Sequence, residues 1–264
     1  MPPPPSINEL TEIRLERSRA ARALLEKINV RSLRNEQSPS AGDFFANLAA
    51  GLLNRQVDIF DDAMFLIDNN RIGSACVISR GMIEAYALAH FAVEEVTRAF
   101  AAAPEGSRAE TAVEMTLKFT NSSRFKKSEQ EKLKKGIFKL EDYKFTVEAQ
   151  QRMLAELGNS VHVHNALRYL YQRQKEETQA KESTHELVYD ALSEWVHPSQ
   201  TSVWLAYAQD AQIVETSLGK ITHWEAAMNY CTEALSFITA TKDIYLHMLR
   251  VADIISATGS SENF

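Results

Sequence analysis

GSACVISRGMIEAYALAHFAV, residues 73–93, is the stretch from which the architecture of this chain can be read. Its only formal charges are Arg80 and Glu84, His90 lies near its end, and no proline interrupts it. A helix that is apolar on nearly all sides belongs at the centre of a helical protein rather than on its surface. Arg80 and Glu84 are one helical turn apart and can face each other. A buried charge needs such a partner and further hydrogen bonds, or it costs several kcal/mol. On that ground an Arg80→Ala change in a buried pair is expected to cost about 3–5 kcal/mol.

Outward from this segment, the prolines mark the boundaries. Four are Pro2 to Pro5, and Pro39, Pro104 and Pro198 each fall between periodic segments, so no long segment is broken. Helical spacing of apolar residues predicts helices over 8–33, 43–68, 74–100, 109–122, 128–139, 146–157, 161–181, 184–197 and 222–255. Asp43, Thr184 and Thr222 are the expected N-caps, and Asn69-Asn70 suits a left-handed helix end. The short connection there predicts an antiparallel hairpin of the second and third helices. Residues 201–220 are the least helical, with 202–207 and 212–216 forming a short hairpin or irregular cover. The chain therefore reads as an all-α bundle of about seven to nine helices. Its expected organisation is an N-terminal helix and loop (1–42), a helical domain (43–255) with a basic insert at 109–145, and a tail (256–264).

The 264 residues are 45% hydrophobic and 24% charged, which is ordinary globular composition. Cys76 and Cys231 sit singly in apolar patterns, as free thiols of a reducing compartment do. The opening MPPPPSINEL lacks the basic and apolar regions of a signal peptide. The longest charge-free apolar runs, such as 85–93, are too short to span a bilayer. The expectation is a cytoplasmic protein with no membrane association.

A second candidate segment is Tyr189-Asp190-Ala191-Leu192-Ser193-Glu194-Trp195-Val196-His197-Pro198-Ser199. Val188, Ala191, Leu192 and Trp195 make its apolar face, while Tyr189, Ser193 and His197, spaced four apart, form a polar row. Pro198 stops the helix beside His197. Together with Arg80 and Glu84, these residues are the strongest constellation in the chain. It can serve as a structural network that fixes helix register, or as a site in which His197 exchanges protons and Arg80 steadies negative charge.

Other motifs carry less. His162-x-His164 opens a helix, where residues two apart diverge, and no further metal ligand is nearby. Glu194-x-x-His197 lacks the facing second element that a di-iron bundle needs, so neither a metal nor another cofactor is called for. There is no GxxxxGK[ST], GxGxxG or GxSxG. Residues 118–144 carry nine Lys/Arg against four acids, a local charge of +5 in a chain of net −6. Arg124, Lys126, Lys127, Lys134 and Lys135 are the candidate nucleic-acid contacts there, with Phe119, Phe125, Phe138, Tyr143 and Phe145 available for stacking. Amphipathic helices with the aromatics inward explain the same pattern.

The combination Ile78-Ser-Arg80-Gly-Met-Ile-Glu84 with Tyr189-x-x-x-Ser193-x-x-x-His197-Pro-Ser resembles a bacterial family of unknown function. That family lies near the HEPN (higher eukaryotes and prokaryotes nucleotide-binding) superfamily. The resemblance spans roughly 43–198 and implies a HEPN-like helical core and a homodimer, with RNA, a nucleotide or a protein as the candidate partner. Active HEPN nucleases carry an arginine separated from the motif histidine by four to six intervening residues. Here those positions are Asp190, Ala191 and Leu192, which leaves Arg80 as the available cation. Two functions follow as expectations. One is a non-catalytic binding or scaffold module of a bacterial defence or stress system. The other is a metal-independent ribonuclease, of toxin or anti-phage type, whose candidate catalytic residues are His197, Arg80, Glu84, Ser193 and Tyr189.

Overall fold

The first helix ends early, at Arg22, and Leu24 just beyond it is exposed to solvent. In the computed structural model, which describes residues 6–31, 33, 39–120, 161–204, 213–216 and 219–259, α1 spans Ile7–Arg22 instead of continuing to residue 33. The Arg22 guanidinium turns back to the Leu25 carbonyl (2.8 Å), and the amide of Asn54 takes both backbone groups of Ile28, at 2.8 and 2.7 Å. Backbone groups satisfied by side chains have no need of a helical ladder. The apolar spacing of Leu24, Leu25 and Ile28 mimics a helix that does not form.

The fold is all-α, as the periodicity predicts. After α1 come α2 (Ala41–Asp68), α3 (Ile72–Ala102), α4 (Arg108–Thr120), α5 (Val163–Thr178) and α6 (Thr184–Val196). A π-helical turn at Gln200–Trp204 leads to an antiparallel hairpin of β1 (Ile213–Thr216) and β2 (Gly219–Thr222). The helices α7 (His223–Leu235) and α8 (Ile238–Gly259) follow. Strand 213–216 thus pairs with the residues after it, while 205–207 of the expected hairpin lie outside the described residues. The expected single helix over 222–255 is two: α7 closes at Ser236, whose hydroxyl returns to the Glu233 carbonyl at 2.6 Å. No glycine or proline marks that break, so residue spacing alone runs through it.

Caps also shift. Ser40 and Asp43 bond reciprocally at the start of α2, and Ser183, not Thr184, accepts the Glu186 amide at the start of α6. Thr222 caps α7 in a full capping box with Glu225. Asn70 adopts the left-handed conformation (φ 57°) between α2 and α3, as its residue type suggests. The helices expected at 128–139 and 146–157, and the basic residues Arg124, Lys126, Lys127, Lys134 and Lys135, lie outside the described residues.

The chain divides into two compact units. The first combines Met1–Val30, Ala50–His90 and Leu167–Leu246. Val57, Cys76, Met82, Ile83, Leu192, Leu235 and Ile238 are fully buried in it, and Thr241 donates to the Gln56 side chain at 2.8 Å within that core. A β-carbon on Gly81 would stand 3.3 Å from Ile59 Cδ1. These two positions are equidistant in sequence from Asn70, as an antiparallel α2/α3 hairpin requires. The second unit combines Arg31–Ala49, Phe91–Ala166 and His247–Phe264. Its buried residues include Phe45, Val96, Ala112, Met248 and Ile255, and Gly42 lets α2 lie directly on the Ala252 carbonyl of α8.

With Arg80 and Glu84 admitted, α3 is by length and composition apolar enough to cross a membrane, at a mean hydropathy of 1.2 over its best 18 residues. Half of that window is buried inside the protein, as the core helix of a bundle would be.

Candidate functional site

The site lies wholly within the first unit and starts from one carboxylate oxygen. Arg80 donates through Nε (3.1 Å) and Nη2 (3.0 Å) to Glu84 Oε1, and Tyr189 of α6 donates its hydroxyl to the same oxygen at 2.9 Å. The Arg80 guanidinium carbon stands 4.8 Å from the centre of the Tyr189 ring, a cation–π contact. One turn of α3 sets the Arg80–Glu84 spacing, and the early position of Tyr189 on α6 brings its ring across it. The Arg80 and Glu84 side chains keep 23% and 29% of their exposure, so the pair is half-buried rather than sealed. Burial first, and then the Glu84 charge, pushes the Tyr189 phenol up to about 12 while Arg80 opposes the shift. Tyr189 is therefore a neutral donor at any physiological pH.

The rest of the polar row does not join this trio. Ser193 donates to the Tyr189 carbonyl one turn earlier, at 2.7 Å, which is a bond internal to its own helix. His197 caps the C-terminus of α6 in an extended conformation (φ −107°, ψ 151°), and its side chain is exposed. Its carbonyl accepts the Ser202 hydroxyl at 2.7 Å, while Ser199 donates to the Glu194 carbonyl at 2.7 Å. Among the described residues, no hydrogen bond, ion pair or ring contact joins the His197 ring to Arg80, Glu84 or Tyr189. The reason is geometric. Leaving the helix at Val196 turns His197 away from the row that a continuous helix would have extended.

Beside the trio lies an open groove of about 460 Å³. Ile59 and Ile78 contribute apolar lining, Val77 and Val196 border it, and Arg55, Asp62, Arg80 and Glu84 supply charge. Gly81 lines it too, and its missing side chain lets α2 and α3 approach there. Arg55 and Asp62 escaped sequence reasoning because they sit on the polar side of an amphipathic helix, where charged residues are unremarkable. Their only signal was a seven-residue spacing about Ile59, which puts all three on adjoining positions of α2. A guanidinium rim, two carboxylates and aliphatic lining suit a hydrogen-bonding organic group or a peptide segment.

Behind the trio, Tyr171 of α5 lies with its ring centre 6.4 Å from that of Tyr189. Its hydroxyl is buried without a hydrogen-bond partner, and burial pushes its phenol far up. His162 and His164, elsewhere in the chain, do not diverge as expected. His162 precedes α5, its Nδ1 accepts the His164 amide at 3.2 Å, and the two rings stack with centres 4.8 Å apart. Among the described residues, no group of three or more His, Cys, Asp or Glu side chains is placed to hold a metal ion.

Comparison with protein-family models, with curated proteins and with solved structures finds no match to this chain.

Proposed function

We propose that the protein is a non-catalytic, HEPN-like binding module of the bacterial cytoplasm, whose ligand-contacting surface is the groove bordered by Arg55, Asp62, Arg80 and Glu84. The observation that carries this is the convergence of Arg80 and Tyr189 on one oxygen of Glu84. The cation that a ribonuclease would aim at phosphate is committed to a carboxylate, and the His197 ring stands outside the cluster. Arg80, Glu84 and Tyr189 then act by shaping the wall of the groove, with Arg55 and Asp62 as the exposed contacts for a protein segment or nucleotide.

The test is incubation of the purified protein with RNA, alongside His197→Ala and Arg80→Ala. The expected result is intact RNA in all three. Cleavage by the wild type that His197→Ala abolishes would overturn the proposal in favour of a metal-independent ribonuclease.

A further inference from the structure

The N-terminal residues 6–30 belong to the first unit and are held to it largely through polar contacts. Helix α1 buries only Ile7, Thr11 and Ser18, and of the extended residues after it only Leu25 is buried. Ile7 reaches a small cluster with Ile221 and Ala226. The Ser18 hydroxyl is buried without a partner, which is a cost rather than a gain. Polar contacts add to the attachment, among them the Asn54 side chain on both backbone groups of Ile28. Arg14 bonds Glu233 (2.7 Å) and Asn229 (3.0 Å) of α7, and Asn8 donates to Glu225 at 2.7 Å. On α2, Asp68 takes Arg19 at 2.9 Å, Asp61 takes Arg22 through two bonds of 2.8 Å, and Asp58 takes Lys27.

Four cations of the segment thus meet four carboxylates of the surface beneath, and three of the four lie on α2. The ion pairs are exposed by a quarter to more than half. Pairs in that setting are open to screening, because the distance over which charge is felt falls from about 10 Å at 0.1 M salt to about 3 Å at 1 M. The helices below, with Cys76, Met82, Ile83, Leu235 and Ile238 fully buried, depend on apolar packing that salt does not weaken.

We propose that residues 6–30 form an electrostatically latched strap that detaches from α2 and α7 as ionic strength rises, while the helices beneath stay folded. Its release uncovers Asp58, Asp61 and Asp68 on α2 and Glu233 on α7. The face that α2 presents on the strap side then turns from charge-balanced to acidic.

Peptide-resolved hydrogen exchange on the full-length protein across a sodium chloride series tests this. Between about 0.05 and 1 M, exchange of the α1 amides should rise about tenfold or more while α3 amides in 76–90 change less than about twofold. The triple variant Asp58→Asn/Asp61→Asn/Asp68→Asn should show the fast α1 exchange already at the lowest salt, with α3 still protected. Salt-independent exchange of α1 in the wild type overturns the proposal. Loss of protection in α1 and α3 together also overturns it, because the segment would then be part of the core's cooperative unit. Should the triple variant fail to fold, the wild-type salt series decides on its own.

Discussion

The Tyr189 hydroxyl donates to Glu84 Oε1 across 2.9 Å and 105 residues of sequence, tying α6 to α3 at the rim of the groove. The bond links two segments that each looked like half a site in the sequence. It also sets what the site can do, since the same oxygen holds Arg80 in place.

Tyr189→Phe keeps the ring under Arg80 and removes the hydroxyl that donates to Glu84. The expected cost is about 1–2 kcal/mol, the usual value for a hydrogen bond to a charged group that stays partly solvated. Arg80→Ala should cost about the same, not the about 3–5 kcal/mol of a fully buried pair, because Glu84 keeps the Tyr189 donor and some solvent. Urea denaturation of both variants measures this. Losses below about 0.5 kcal/mol would show that the network contributes nothing measurable.

Two glycines of α2 should respond oppositely to the same change. A β-carbon on Gly51 meets nothing within 4 Å, so Gly51→Ala should stabilise by about 0.5–1 kcal/mol through helix propensity. A β-carbon on Gly42 would collide with the Ala252 carbonyl and the Ser256 hydroxyl, so Gly42→Ala should destabilise by about 1–3 kcal/mol. Melting temperatures that move in the same direction for both would contradict this close approach of α2 to α8.

Acid should destabilise the fold through two histidines. Burial holds His185, against the ring of Phe237, and His223 below the ordinary value of 6.5. Below pH 6.5 the unfolded chain binds protons that the folded chain resists, so stability falls as pH drops from 6.5 toward the folded values. Above pH 6.5 both states are neutral and the effect vanishes. Hydrogen bonds to Ser6 and Asn8 hold Glu9 and Glu225 below 4.5, so their loss comes at lower pH and separates cleanly. Denaturation midpoints between pH 7.5 and 5 should fall for the wild type and flatten for His185→Gln/His223→Gln. Parallel profiles would remove these two residues from the account.

Cys76 and Cys231 are the only cysteines, and both are fully buried. The Ser79 hydroxyl touches the Cys231 sulfur at 2.9 Å, and the neighbouring Cys231 together with burial pushes the Cys76 thiol well up. Neither thiol should react with an aromatic disulfide reagent in the native protein at pH 8, and both should react in denaturant. A native thiol that titrates within minutes would show that α3 and α7 open readily.

The apolar run at 73–93 was enough to announce a central helix, and its two charges were enough to predict their own pairing. That follows because helical pitch is a local property: residues four apart meet whatever the rest of the chain does. Asn70 and Thr222 were legible for the same reason, since left-handed turns and capping boxes are short-range chemistry. The polar row of α6 was not. Its members looked equivalent by spacing, yet Tyr189 crosses to α3, Ser193 bonds its own backbone and His197 leaves the helix before its turn comes.

Helical class, the approximate extents of α2 to α6 and the Arg80–Glu84 pair were thus contained in residue order, because each depends on contacts within a turn or two. Which oxygen Tyr189 would find was decided only in three dimensions. So were the role of Arg55 and Asp62 in the groove, the early end of α1 at Arg22 and the break between α7 and α8. Each of these depends on a partner far away in the chain, or on packing against another helix. Local periodicity says which face of a helix is apolar, but only tertiary packing says what that face meets.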